Sequence, residues 1–281
     1  MMETIDDYLN HLKLEGKSTN TLATYLFHLR RFHTWRKENG LDLDVIKPTN
    51  LITFKEDLMT EGKAERTINA IISCMKGYYD YLILREISKS NPVSDKLRIN
   101  IPTKKIERLT DEQINMFFSY IGGLKENIRA AFFLMMGTGA RVGEVAALKK
   151  SDITTVDGKL FITITDAKWG SDRKIPIILK ESAETVYKYI ETIDVYGLPV
   201  FRVSKRTLQT YATNFAKETG VPFYCHILRH TFATILLERG VQIEKIQYML
   251  GHKTPNMTRH YTQAANIDVT GLAPTIWQGD D

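Results

Sequence analysis

Cysteine is nearly absent: the 281 residues contain two, Cys74 and Cys225, far apart and outside any C-x-x-C pair. That excludes a zinc site built from cysteines and argues against a disulfide framework, so a reducing, cytoplasmic setting is expected. Long apolar runs are absent too. The longest, AAFFLMM at 130–136, is far shorter than the roughly 20 residues a membrane-spanning helix requires. The opening MMETIDDYLNHLKLEGK is acidic and amphipathic, unlike a signal peptide. No internal repeat, low-complexity tract, Walker A loop or carboxylate cluster is found. No membrane partner and no metal are expected.

What is present is a chain with 43% hydrophobic residues, enough for a real core, and a length suited to one large domain or two medium ones. Lysine and arginine number 38 against 33 aspartate and glutamate, a net charge of +5. The excess is modest; it is compatible with a nucleic-acid partner without demanding one.

The first part reads as helices only. TIDDYLNHLKLEG carries Ile5, Leu9 and Leu12 at helical spacing. The next helix opens at an N-cap, Ser18 or Thr19, presents Leu22, Tyr25, Leu26, Leu29 and Phe32 on one face and stops at Gly40. A third follows Pro48 and a fourth follows Ala64. Four such helices make a small bundle, expected over 1–88. Periodicity then fails. From Arg85 to Arg108 seven basic residues face three acidic ones, and 89–106 reads as a basic linker, either a solvated connector or a strap along a phosphate backbone.

A second domain, 107–281, opens at a capping box of Thr110 and Gln113. A buried helix is expected over 128–137, then strands over 160–165 and 174–179, with a turn at Asp157-Gly158 and 151–156 as a candidate third strand. Helices return over 180–194, 204–219, 225–239 and 242–250, with a short last one over 255–263. The fold class is therefore mainly α with a small antiparallel β-sheet.

Three stretches carry chemistry. In YCHILRHTFATILLERG, His226 and His230 stand four apart on one helical face. The zinc pattern H-E-x-x-H has that spacing, but Ile227 replaces its glutamate and Arg229 shares the face, which repels a dication and suits phosphate. In GTGARVG the glycines are spaced G-x-G-x-x-x-G, wrong for a dinucleotide loop. It reads as a turn that puts Arg141 at a helix N-terminus, good ground for an anion. YMLGHKTPNMTRHYTQ holds His252, His260 and Tyr261.

Together these boxes resemble the tyrosine recombinases of the phage-integrase family. TGARVGEVAAL resembles T-G-x-R-x-x-E-x-x-x-L and matches Arg141 and Glu144 to the family's first arginine and acid. HILRHTFAT resembles H-x-L-R-H, giving His226 and Arg229 with His230 behind them. LGH nine residues before a tyrosine resembles the closing box, giving His252 and the nucleophile Tyr261. DAKWGSDRKIPI resembles the hairpin that bears the family's lysine, best matched by Lys168 ahead of the R-K-x-P-I strand, with Lys174 as its rival. Ala140 stands where leucine is common.

The resemblance implies a SAM-like core-binding bundle followed by a catalytic domain, and strand cleavage through a 3′-phosphotyrosyl intermediate with a free 5′-hydroxyl. Arg141 and Arg229 would grip the non-bridging oxygens, with His252 adding a donor. His226 would accept the Tyr261 proton and Lys168 would give one to the leaving oxygen. Glu144 would orient the histidines or Arg141, and His230 would pack or bond internally. No cofactor and no ATP are needed. The implied partner is double-stranded DNA with paired inverted core sites. The implied assembly is a homotetramer on two sites joined through a four-way junction, alone or with a paralogous recombinase or accessory protein. The apolar tail after Tyr261 would dock on the neighbouring subunit. Expected DNA contacts are Arg30, Arg31, Lys37, Lys63, Arg66, Lys104, Lys105, Lys205, Arg206 and Gln209. The compact chain leans toward a Xer-like or cointegrate-resolvase role, with an integrase or invertase open. A type IB topoisomerase-like relaxase and a non-catalytic DNA-binding module are the competing readings.

Overall fold

The computed structural model describes residues 3–102, 108–165, 172–194 and 196–251. The chain divides into two compact units, Met1–Lys104 and Lys105–Asp281.

The first unit is built from α1 (Glu3–Leu14), α2 (Thr19–Glu38), α3 (Pro48–Thr60) and α4 (Glu65–Leu84). Ser18 is the N-cap of α2, its hydroxyl accepting the Thr21 N–H at 3.2 Å. Pro48 begins α3, where its missing N–H costs nothing. Ile5, Leu29, Phe32, Phe54, Ile68 and Leu82 bury in a common core.

Polar groups enter this core as well. Arg36 is buried and donates to the Leu41 carbonyl at 2.7 Å. His33 lies between it and Tyr78, whose hydroxyl reaches Thr4 at 2.9 Å. Burial, then the charges of Arg36 and Lys37, push the His33 imidazole down to about 4. In an unfolded chain histidine titrates near ~6.5, so between these values only the unfolded state takes up the proton. Stability present above that range is lost as pH falls through it. Thermal melts of wild type and His33→Gln should differ in acid sensitivity between pH 7 and 4.5 by about 2 kcal/mol, with the variant the less sensitive.

The basic stretch expected as a linker is, as far as 91–99, pinned along α4. Val93 and Leu97 join the core. The Asn69 side chain bonds both the N–H and the carbonyl of Ile99, at 2.9 and 2.8 Å. Asp95 pairs with Lys76 at 2.5 Å and with Arg98 at 3.3 Å. Asp95, one of the tract's three acids, thus holds Arg98 of the tract and Lys76 of α4 together. Lys104 and Lys105 lie outside the described residues.

The second unit contains α5 (Asp111–Gly122), α6 (Glu126–Thr138), α7 (Val142–Ala147), β1 (Ile153–Val156), β2 (Lys159–Ile164), β3 (Arg173–Pro176), α8 (Lys180–Glu191), α9 (Lys205–Thr219), α10 (Cys225–Glu238) and α11 (Ile243–Leu250). The Thr110–Gln113 capping box forms as expected. Helix α6 is buried along most of its length. The three strands are antiparallel in the order β1-β2-β3, with Ile162 opposite both Ile153 and Ile175. Asp157 and Gly158 turn the first hairpin, both at positive φ (49° and 70°), as a two-residue turn requires. The strand expected over 151–156, β1, begins at Ile153, because 150–152 form a short 3₁₀ turn. Strand β3 ends earlier than its apolar run because the Ile178 N–H leaves the sheet for the Gly137 carbonyl of α6, at 3.0 Å. The expected helix over 255–263 lies outside the described residues. Among those described, no helix is long and apolar enough to cross a membrane.

Candidate active site

The site is assembled where α6 ends, α7 begins and α11 stops. Gly139 closes α6 in the left-handed region, φ 66°. A Cβ there would fall 2.5 Å from Phe232 on α10 and 2.9 Å from Leu250 on α11, so only glycine lets the three helices meet. The Gly139 carbonyl accepts from Nη1 of Arg229 at 2.9 Å.

Arg141 is the N-cap of α7. Its backbone N–H donates to Oε2 of Glu144 at 2.8 Å and its Nη1 donates to Oε1 at 2.9 Å. Arg229, on α10, is only 2% exposed. Among the described residues its Nε has no hydrogen-bond partner. Burial, then the like charges of Arg141 and Arg173, push its guanidinium down to about 9, with Glu144 partly offsetting them. It stays protonated at neutral pH, and an anion placed beside it would relieve that electrostatic stress.

His226 and His230 sit edge to face, ring centroids 4.7 Å apart. His226 keeps an exposed edge. Burial of the rest of its ring, then His230, Arg229 and Arg141, hold it below the ordinary histidine value. His230 is lowered by burial and by Arg229. Both rings favour the neutral form at pH 7, which suits a proton acceptor. Among the described residues no group of three His, Cys, Asp or Glu could hold a metal.

One participant was not expected. Arg173, at the start of β3, is 4% exposed and forks onto Glu144, Nη1 to Oε1 at 3.2 Å and Nη2 to Oε2 at 2.9 Å. Burial alone would raise the Glu144 carboxyl; the hydrogen bonds and charges of Arg173 and Arg141 hold it below the ordinary range. The expectation that Glu144 orients Arg141 therefore has a geometry, and no bond from Glu144 to a histidine accompanies it among the described residues.

The three arginines also share the end of α11. Three consecutive carbonyls there each accept from a different guanidinium: Met249 from Arg173 Nε at 2.8 Å, Leu250 from Arg229 Nη2 at 2.5 Å and Gly251 from Arg141 Nη2 at 3.3 Å. These are carbonyls that a helix end leaves without intrahelical donors, at its negative pole.

Arg141, Glu144, His226, Arg229 and His230 are thus brought together, with Arg173 added. Lys174 stands apart, its ammonium 5.0 Å over the Phe161 ring. The Lys205 stem passes within 3.9 Å of where a Gly143 Cβ would lie, at the start of α7, and Arg206 and Gln209 are exposed on α9. In the first unit Arg30, Lys37, Lys63 and Arg66 are exposed, while Arg31 pairs with Glu61. Lys168, His252 and Tyr261 lie outside the described residues, as does the tail.

Residues 107–266 match the sequence pattern described as Phage integrase family, and residues 5–86 match that described as Phage integrase, N-terminal SAM-like domain. The chain belongs to the phage integrase family. Tyrosine recombinase XerA of Thermococcus onnurineus (strain NA1) is 30% identical over 271 residues, spanning 93% of this chain and 90% of the relative. Tyrosine recombinase XerC of Lacticaseibacillus casei (strain BL23) is 25% identical over 290 residues, spanning 93% and 94%. In fold, this member of the family is similar to a lambda integrase dimer bound to a COC′ core site, with TM-score 0.71, 23% identity and coverage of 92% of this chain and 96% of that one. It is likewise similar to the Tn1549 transposon integrase in complex with circular intermediate DNA, with TM-score 0.70, 20% identity and coverage of 92% and 94%.

Proposed function

We propose that this phage-integrase-family chain is a site-specific tyrosine recombinase of the Xer-like type, in which Tyr261 attacks a DNA phosphate held by Arg141 and Arg229. As a member of the family it is an enzyme that cleaves and rejoins DNA strands. The observation that carries the residue-level reading is the convergence of Arg141, Arg173 and Arg229 around one carboxylate and one helix end. Three guanidiniums against one carboxylate leave a surplus positive charge in a partly dry site, suited to the charge that gathers on phosphate oxygens during attack.

The chemistry follows from the groups. The Tyr261 hydroxyl loses its proton, the Tyr–O–P bond forms and the bond to the 5′-oxygen breaks. His226, held neutral, accepts the phenolic proton. Lys168 returns one to the leaving 5′-oxygen. His252 donates to the oxygens the arginines grip. The ester keeps the energy of the broken bond, so another strand's 5′-hydroxyl can attack it and no nucleotide is consumed. Two such exchanges, on paired inverted core sites bound by four subunits, would pass through a four-way junction. Lys205, Arg206 and Gln209, with Arg30, Lys63 and Arg66 of the bundle, supply further phosphate contacts. Resolution of dimers or cointegrates is the role that fits this reading.

Fragmented source DNA mixed with the protein in excess chelator, quenched in detergent and sequenced at protein-linked ends, tests this. Linked ends clustered at paired inverted sequences are expected. Ends scattered over all sequences would favour a relaxase, and binding without linkage would overturn the catalytic reading. The pH dependence is a second check. The rate of linkage should stay flat as pH falls from 8 to about 6.5 and decline only below, because the active form is neutral His226 and its pKa lies under that ordinary value.

A further inference from the structure

Arg173 opens the R-K-x-P-I strand of the hairpin that resembles the family's, where only a lysine was given a role, yet it is nearly as enclosed as Arg229. Enclosing a guanidinium is costly unless its charge and donors are met. Here Glu144 meets the charge, and the way it does so has a consequence. Oε1 receives Arg141 Nη1 and Arg173 Nη1; Oε2 receives the Arg141 N–H and Arg173 Nη2. Four donors from two arginines saturate a carboxylate. With Arg173 in place, Glu144 offers Arg141 one oxygen per donor and no room for a forked pair of its own. Without it, the half-empty carboxylate would draw the Arg141 guanidinium into a bidentate pair, away from a phosphate.

The other side of Arg173 faces α11. Its Nε holds the Met249 carbonyl, and a Cβ on Gly251, φ 60°, would lie 2.8 Å from its Nη1. The guanidinium therefore lies flat against the backbone of the residue that precedes His252 in sequence. One side chain sets both the acceptor of the first gripping arginine and the helix end on which Arg141 and Arg229 also rest.

We propose that Arg173 is a positioning residue for strand transfer: it touches no substrate, but fixes Glu144 and the end of α11 so that Arg141 is held for the phosphate. The inference rests on the phosphotyrosine reading. A double-mutant cycle tests it. Formation of the covalent link would be timed under single turnover, at saturating protein, on a duplex carrying the site mapped by capture, for wild type, Arg173→Gln, Arg141→Lys and the double variant. Duplex affinity would be measured alongside. Arg173→Gln is expected to slow linkage on the order of 100-fold, the scale of an ångström-size misplacement, with affinity within about threefold. In the Arg141→Lys background the same change should cost at most about threefold, since the group it positions is already compromised.

Equal losses in both backgrounds, or a joint fall of affinity, rate and melting temperature, would mean that Arg173 only holds the fold and would overturn the proposal. Arg173→Lys, which keeps the charge but not the fork, carries the same cycle if Arg173→Gln does not fold. A wild-type protein that forms no link on any duplex would overturn the functional reading itself, whereas an active wild type with multiplicative losses would overturn this inference alone.

Discussion

Tyr261→Phe is expected to abolish covalent capture of DNA while leaving duplex affinity within about twofold. The substitution removes one oxygen and nothing else. A phenol with pKa near ~10 is a weak nucleophile at neutral pH, so its reaction depends on a base and on cations around the phosphate. With that oxygen gone, the gripping arginines still bind but have nothing to activate, and losses on the order of 10⁶ follow deletion of a covalent nucleophile. Two other tyrosines provide controls. Tyr224 is exposed at the N-cap of α10, two residues before His226, and the Tyr248 hydroxyl accepts the Lys174 N–H at 3.4 Å. Phenylalanine at either position should leave capture intact. Capture that survives Tyr261→Phe but fails in one of these would move the nucleophile.

Arg229→Met is expected to lower the cleavage rate about 10³-fold, the scale of losing one preorganised donor to the transition-state oxygens. Its effect on stability should be small, within about 2 kcal/mol of wild type, although the residue is 2% exposed. Two terms oppose each other. The Gly139 and Leu250 carbonyls lose their donors. Against that, a guanidinium that burial and two like charges have pushed down to about 9 is removed, and methionine refills the space with an adaptable apolar chain. A melting temperature near wild type, with folded secondary structure and near-complete loss of linkage, is the expected pair of results. A collapse of stability instead would mean that Arg229 serves the fold first and the phosphate second.

Much of this arrangement was legible in the sequence. The order of helices, the Asp157-Gly158 hairpin and the Thr110 capping box come from local rules, spacing along one helix and the residue types of a turn and a cap, whereas a role for Glu144 toward Arg141 or the histidines came only from the family resemblance. What escaped depends on distance through space. Arg173 stands in R-K-x-P-I, where alternation already places it on the same face as buried Ile175 and opposite Lys174. An inward arginine in an apolar strand was the available signal, but only the fold shows Glu144 and α11 waiting for it. His33 and Arg36 are likewise invisible to a reading of the apolar stripe of α2, because their partners, Tyr78 on α4 and the Leu41 carbonyl beyond the helix end, are set by the fold. That 91–99 lies along α4 is equally hidden, because sequence spacing does not reveal that Asp95 pairs with Lys76 and Arg98.

An open cluster of cations ordinarily collects whichever small anion is abundant around it. Here the carbonyls of Met249, Leu250 and Gly251 already occupy donors on all three arginines. A free phosphate must compete with them alone. A duplex offers many phosphates along its length, and contacts made elsewhere raise the effective concentration of the one at the site. Under the proposed function, the end of a short helix would act as a resident competitor that a polymer displaces more readily than a monomer.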